Sequence, residues 1–127
     1  MTAVRIKRVY EPKDKLDGFR ILVDRLWPRG LKKDTAGIDE WLKDIAPSVE
    51  LRKWFGHDPK RWTAFQSKYS IELQQNDALK ILIDWVQTHQ SVTLLYGAKD
   101  ERHNHAMVIL EQLHNSIKSI KDANKKR

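Results

Sequence analysis

The sequence predicts an α/β fold: a small single domain in three layers, with a short, at least partly parallel sheet flanked by helices. Two observations carry this. Ile21-Leu22-Val23 and Val92-Thr93-Leu94-Leu95-Tyr96 are unbroken apolar runs, too short for helices and rich in strand formers, as suits strands covered on both faces. Between them lies a long stretch of apolar residues at helical spacing, the crossover that a parallel pair requires. Each run ends in a polar, cationic segment: Asp24 to Gly30 after the first, Gly97 to His105 after the second. Open parallel sheets bind ligands beyond the carboxyl ends of their strands, so a site is expected there.

The elements follow in order. Val4 and Ile6 alternate with Arg5 and Lys7, which fits a half-exposed strand towards an edge. Glu11 to Gly18, with Pro12 and Gly18, reads as a loop with room for one helical turn. After the central strand, Ile38, Trp41, Leu42 and Ile45 recur at helical spacing and predict a short helix ended by Ala46-Pro47. Ser48 is placed to cap a second short helix whose Leu51, Trp54 and Phe55 share a face and which Gly56 closes. Asp58-Pro59 is a start signal for a helix carrying Trp62, Phe65, Tyr69 and Leu73. Asn76-Asp77 restarts the chain into Leu79, Leu82, Ile83 and Val86. A final helix shows the clearest stripe, with Ala106, Ile109, Leu110, Leu113, Ile117 and Ile120 within about 100°. Of the five tryptophans, 41, 54 and 62 read as core, Trp27 as either site wall or core lid, and Trp85 as partly exposed.

At 127 residues the chain has room for one core and not two. We expect the domain to span residues 1–117, followed by a basic tail, 118–127, that frays. Lys118, Lys121, Lys125, Lys126 and Arg127 against Asp122 give that tail +4 of the net +7, leaving +3 for the rest. The basic balance therefore supports a nucleic-acid-binding module only as the alternative reading, since a basic tail also serves as a solvated end. There are no cysteines, hence no disulfide, thiol nucleophile or thiolate metal site. No run approaches the roughly 20 apolar residues of a membrane span, and no apolar signal core opens the chain. A cytoplasmic protein is the simplest expectation.

The chemistry is sought at the two strand ends. Arg25 and Arg29 suit bidentate capture of carboxylate or phosphate, with Trp27 between them and Asp24 expected to hold one of the arginines. If Asp100 caps the last helix, residues 101–104 offer unpaired N–H groups to an anion, beside Lys99, with Gly97 allowing close approach. An ordinary capped strand-to-helix turn explains the same residues. With Ala106 at the centre of the stripe, His103 lies about 60° to one side and His105 about 100° to the other, while Asn104 points away from the core. The two histidines cannot share a metal in that geometry, so no metal site and no cofactor are expected. A histidine near a helix N-terminus should have a lowered pKa, which suits either His103 or His105 as a neutral base or hydrogen-bonding group, and His105 is taken as the candidate. Arg25, Trp27, Arg29, Tyr96, Lys99, Asn104 and His105 are thus the candidate lining of a pocket for a small anionic molecule, with any reaction left open. His57-Asp58 could contribute, or serve as a helix cap alone.

These segments resemble a known family. Arg20 to Gly30, the run Leu51-Arg52-Lys53-Trp54-Phe55-Gly56-His57-Asp58-Pro59 with Arg61-Trp62, and Thr93 to Asp100 followed by His103-Asn104-His105-Ala106 are similar to the YeaO-like branch of the family called domain of unknown function 488. The resemblance runs from about Val4 to Leu113. It implies an α/β domain of bacterial or archaeal cytoplasm and carries no settled activity. Some sister branches place cysteines at the last strand end and at the start of the final helix. Tyr96 and Asn104-His105-Ala106 stand there in this chain, so thiol or metal chemistry does not transfer.

Overall fold

The computed structural model describes residues 3–125, and side chains up to residue 119. Four strands, β1 (Ala3–Arg8), β2 (Phe19–Leu22), β3 (Glu40–Trp41) and β4 (Ser91–Tyr96), form one sheet in the order β1-β4-β2-β3. All three pairings are parallel, with Ile21 opposite Leu94 on one side of β4 and Ile6 opposite Leu94 on the other. The two apolar runs are therefore adjacent parallel strands, as their composition requires.

Four α-helices accompany the sheet: α1 (Val49–Phe55), α2 (Trp62–Gln74), α3 (Asp77–Thr88) and α4 (His105–Lys125). From β1 to β2 to β3 the chain steps across the sheet in one direction, and from β3 to β4 it steps back. Right-handed crossovers then place the two sets of connections on opposite faces. The core divides in that way. Ile21, Val23, Val92, Leu94 and Tyr96 pack with buried residues of all four helices, among them Phe55, Phe65, Tyr69, Leu82 and Ile109. Leu22 and Leu95, with Val9, face the other way under Trp27, Leu31, Ile38 and Trp41. The third layer is thus made of loop and not of α-helix.

That loop layer covers a buried ion pair. Arg20 and Asp17 are 1% and 2% exposed, joined by a charge-assisted hydrogen bond, with Lys7 Nζ 3.1 Å from Asp17. Arg20 Nε also donates to the Gly37 carbonyl at 2.9 Å, and Thr93 Oγ1 to the Asp17 carbonyl at 2.7 Å. Every strong group has a partner, which is what permits charge at this depth.

Several sequence expectations need correction. Residues 38–45 are not a helix: Glu40–Trp41 pairs as a strand with β2, and only Lys43–Ile45 turns, as 3-10. Ile38 and Trp41 belong to the loop-side cluster while Leu42 and Ile45 belong to the helix-side core, so their spacing imitates a helical face. In α1, Leu51 and Phe55 are buried but Trp54 is exposed, under the cations of Arg61 and Lys68. Ser48, Asp58 and Asn76 cap as expected, Asp58 through a 3-10 turn, Pro59–Arg61, that runs into α2. The last helix continues through the basic segment to Lys125; Ile120's side chain and residues 126–127 lie outside the described part.

Candidate functional site

The carboxyl ends of β2 and β4 lie side by side, and their continuations leave to opposite faces, β2 into the loop layer and β4 into α4. Such a divergence opens a crevice in open α/β sheets. A cleft of about 210 Å³ lies there, lined by Asp24, Arg25 and Leu26 after β2, Phe55 at the end of α1 with His57 beyond it, and His103 to His105 at the start of α4, among others. At about 30 Å³ per water it holds some seven waters, or one ring-sized ligand.

Asp24 ties the two strand ends together. Its Oδ2 accepts the Gly97 N–H at 2.9 Å, and its Oδ1 lies 3.3 Å from His105 Nε2. That ring nitrogen is 3.0 Å from the Val23 carbonyl. A carbonyl only accepts, so Nε2 carries the proton and points it at Val23. Asp24 Oδ1 is consequently buried without a directed hydrogen bond. Burial raises the Asp24 carboxyl above the usual range, against the pull of His105 and of the Gly97 amide. Burial also lowers His105, against the Asp24 carboxylate and the Val23 carbonyl. The imidazole is therefore neutral, and its Nδ1, which bonds to no described residue, is a lone-pair acceptor.

Arg25 is not held by Asp24, contrary to the sequence expectation. Its Nη2 donates to the Ala46 and Pro47 carbonyls at 3.3 and 3.1 Å, and its buried Nε has no acceptor. Neither does Nη1 bond to any described residue, and no carboxylate pairs with this guanidinium among the described residues. The carbonyls that pin it are set by the neighbouring residue: Tyr69, wholly buried in α2, donates its hydroxyl to the Ile45 carbonyl at 2.5 Å. Burial pushes the Tyr69 phenol well above its ordinary pKa, so it remains a donor.

Asp100 does not cap the last helix. Its Oδ1 accepts the Arg102 and His103 amides at 2.9 Å, closing a turn before the helix, and its Oδ2 faces His103 Nδ1 at 2.9 Å. Asn104 is the cap, accepting the Met107 N–H at 3.2 Å and donating to the Asp100 carbonyl at 3.1 Å. The helix begins one turn later than expected, and Asn104 is 2% exposed instead of pointing outward.

Of the residues nominated from sequence, the fold brings Arg25, Asn104 and His105 into the cleft. Trp27 packs edge-on against Trp41 in the loop layer, with its Nε1 on the Leu31 carbonyl at 2.7 Å. Arg29 and Lys99 are exposed outside the lining, and Tyr96 is buried in the helix-side core. Sequence reasoning passed over Arg52, Phe55, Phe65 and His103 as lining residues, and cast Asp24 as an arginine partner. His57 was noticed only as an alternative to a cap; it has φ 57° beside Gly56 at φ 54°, and this left-handed pair turns the chain so that His57 reaches the cleft. Among the described residues no cluster of His, Cys, Asp or Glu could hold a metal ion, and no helix is long and apolar enough to cross a membrane.

The comparisons with known proteins bear out the family resemblance. The chain is 44% identical over 110 residues to the uncharacterized protein YeaO of Escherichia coli K12, covering 87% of this chain and 96% of that one. It is 42% identical over 112 residues to the uncharacterized protein Rv3073c of Mycobacterium tuberculosis H37Rv, covering 88% and 94%. No solved structure matches it. The family DUF488-N3i, described as "Inactive DUF488-N3 subclade", matches residues 3–127, and the chain belongs to that YeaO-like branch of the domain of unknown function 488.

Proposed function

We propose that the cleft binds a small anionic molecule, a phosphate or carboxylate, and that binding is its function. One observation carries this reading: the Arg25 guanidinium is pinned in the cleft by backbone carbonyls alone, with no counter-charge and two nitrogens without acceptors. A half-buried cation whose buried Nε has no acceptor is costly, and an anion relieves the cost. Arg52 adds a second cation to the lining, and the one carboxylate there, Asp24, is engaged with Gly97 and His105. The word "inactive" in the family's description fits a binding role better than a catalytic one. A thermal-shift screen of phosphates, nucleotides and carboxylic acids tests the reading. A ligand at a hundred times its Kd should add about 2.7 kcal/mol of stability. Arg25→Ala should abolish the shift and Arg29→Ala, outside the cleft, should not.

A nucleic-acid interface is the second reading, favoured by exposed Trp54 beneath Arg61 and Lys68. DNA or RNA binding with a steep salt slope that survives removal of residues 118–127 would promote it.

A further inference from the structure

We infer that the cleft selects oxyanions that carry their own hydrogen-bond donor, such as a hydrogen phosphate or a phosphonate monoanion, over equally charged oxyanions that carry none. The inference rests on the anion-binding reading above and names the ligand class within it. It starts from the protons the protein itself fixes. His105 Nε2–H is committed to the Val23 carbonyl at 3.0 Å, with the Asp24 carboxylate 3.3 Å away. Both neighbours are acceptors, so the ring cannot turn its proton to the other nitrogen without setting lone pair against lone pair. His105 Nδ1 is left as a lone pair in a cleft-lining side chain, with no donor from any described residue. Burial keeps the ring from taking a second proton.

The cleft thus offers an anion two opposite kinds of contact. Arg25 supplies N–H donors, and His105 supplies an acceptor that is short of a proton. A bare sulfonate or sulfate oxygen meeting Nδ1 would repel it or leave it dry and unpaired, whereas a P–OH would donate to it. Sites that hydrogen-bond a ligand proton reject the analogue lacking it more strongly than an apolar pocket rejects a missing methylene. Phe55, Phe65 and Leu26 give the remaining wall an apolar character that a single ring would fill.

Phenylphosphonate and benzenesulfonate form the test pair, alike in shape. At about pH 5, a unit below the second pKa of a phosphate-type group, the first is mainly the P–OH monoanion and the second a monoanion without a proton. Titration calorimetry of the full chain should show phenylphosphonate bound about tenfold or more tightly, the penalty for one unmet buried acceptor. In His105→Gln, whose amide can turn an N–H to the anion, the preference should shrink towards unity, chiefly because benzenesulfonate binds more tightly. Should that variant fail to fold, ¹⁵N spectra of the wild-type histidine rings give the same answer. His105 Nδ1 should resonate as an unprotonated nitrogen and move on adding phenylphosphonate but not benzenesulfonate. Equal affinity for both anions overturns the selectivity and leaves the anion cleft standing. Binding of neither overturns both.

Discussion

Replacing Gly97 with alanine should cost far more than its turn position suggests. Gly97 is not among the residues with positive φ, so its backbone accepts any side chain. What the position lacks is room: a Cβ there would lie 2.9 Å from Asp24 Oδ2, the same oxygen that accepts the Gly97 N–H at 2.9 Å. Ordinary contact begins near 3.4 Å, so the carboxylate must retreat by about half an ångström, which stretches that hydrogen bond beyond useful length. Asp24 Oδ1 already lacks a directed donor, so the buried group would lose the only one it has. Leaving a buried acceptor unmet costs about 1–3 kcal/mol, with a charged group towards the upper end. We therefore expect Gly97→Ala to lose about 2–3 kcal/mol, read as a fall in the urea midpoint at unchanged m. Gly30→Ala is the control, since its Cβ meets nothing within 4 Å and only its φ of 79° is strained. If Gly97→Ala unfolds within about 0.5 kcal/mol of wild type, the ordinary range for harmless surface changes, Asp24 does not tie the strands in the way described.

Other expectations follow from the same contacts. Tyr69→Phe removes a hydroxyl without opening a cavity and should cost about 1–2 kcal/mol in denaturant melts. It should also weaken anion binding, because the Ile45–Pro47 segment that holds Arg25 loses its anchor. Arg20→Ala leaves the buried Asp17 carboxylate with only Lys7 as a cation and the Asp14 amide as a donor, and should cost about 3–5 kcal/mol. Burial opposes Asp17 ionisation, but the Asp14 amide, Lys7 and Arg20 outweigh it and hold its pKa below the ordinary range. A folded pKa below the unfolded one gives stability that is present above about pH 4 and lost as pH falls through the lowered value. Asp17→Asn should accordingly flatten acid denaturation in that window, as measured by the urea midpoint against pH.

The parts legible in the sequence were those governed by neighbours along the chain. The apolar runs announced β2 and β4 because both faces are covered, and Ser48, Asp58 and Asn76 announced helix starts because a cap bonds two or three residues ahead. The strand β3 was illegible for a tertiary reason, since residues 38–45 divide between two cores and mimic a helical period. Trp27 and Arg29 follow β2 as expected, yet the Trp27–Trp41 contact, fixed only in the fold, carries the loop to the face away from the cleft. Arg25 and His105 were visible as chemistry at strand ends. Their partners, the Ala46 and Pro47 carbonyls and Asp24, were not, because no spacing rule joins residues 21 or 81 positions apart. Asn104 was misplaced by assuming that the helix began before it, which reversed its direction.

Anion binding in the cleft turns on the uncompensated Arg25 guanidinium. The most direct measurement is calorimetric titration of phenylphosphonate into the wild-type chain and into Arg25→Gln at low salt, with urea midpoints confirming that both are folded. The wild type should bind saturably, one to one, and the variant about tenfold or more weakly, as for a charge-assisted hydrogen bond withdrawn from a half-buried site. Equal affinity in the two proteins, or no binding to the wild type by any anion of the screen, would show that Arg25 holds no anion.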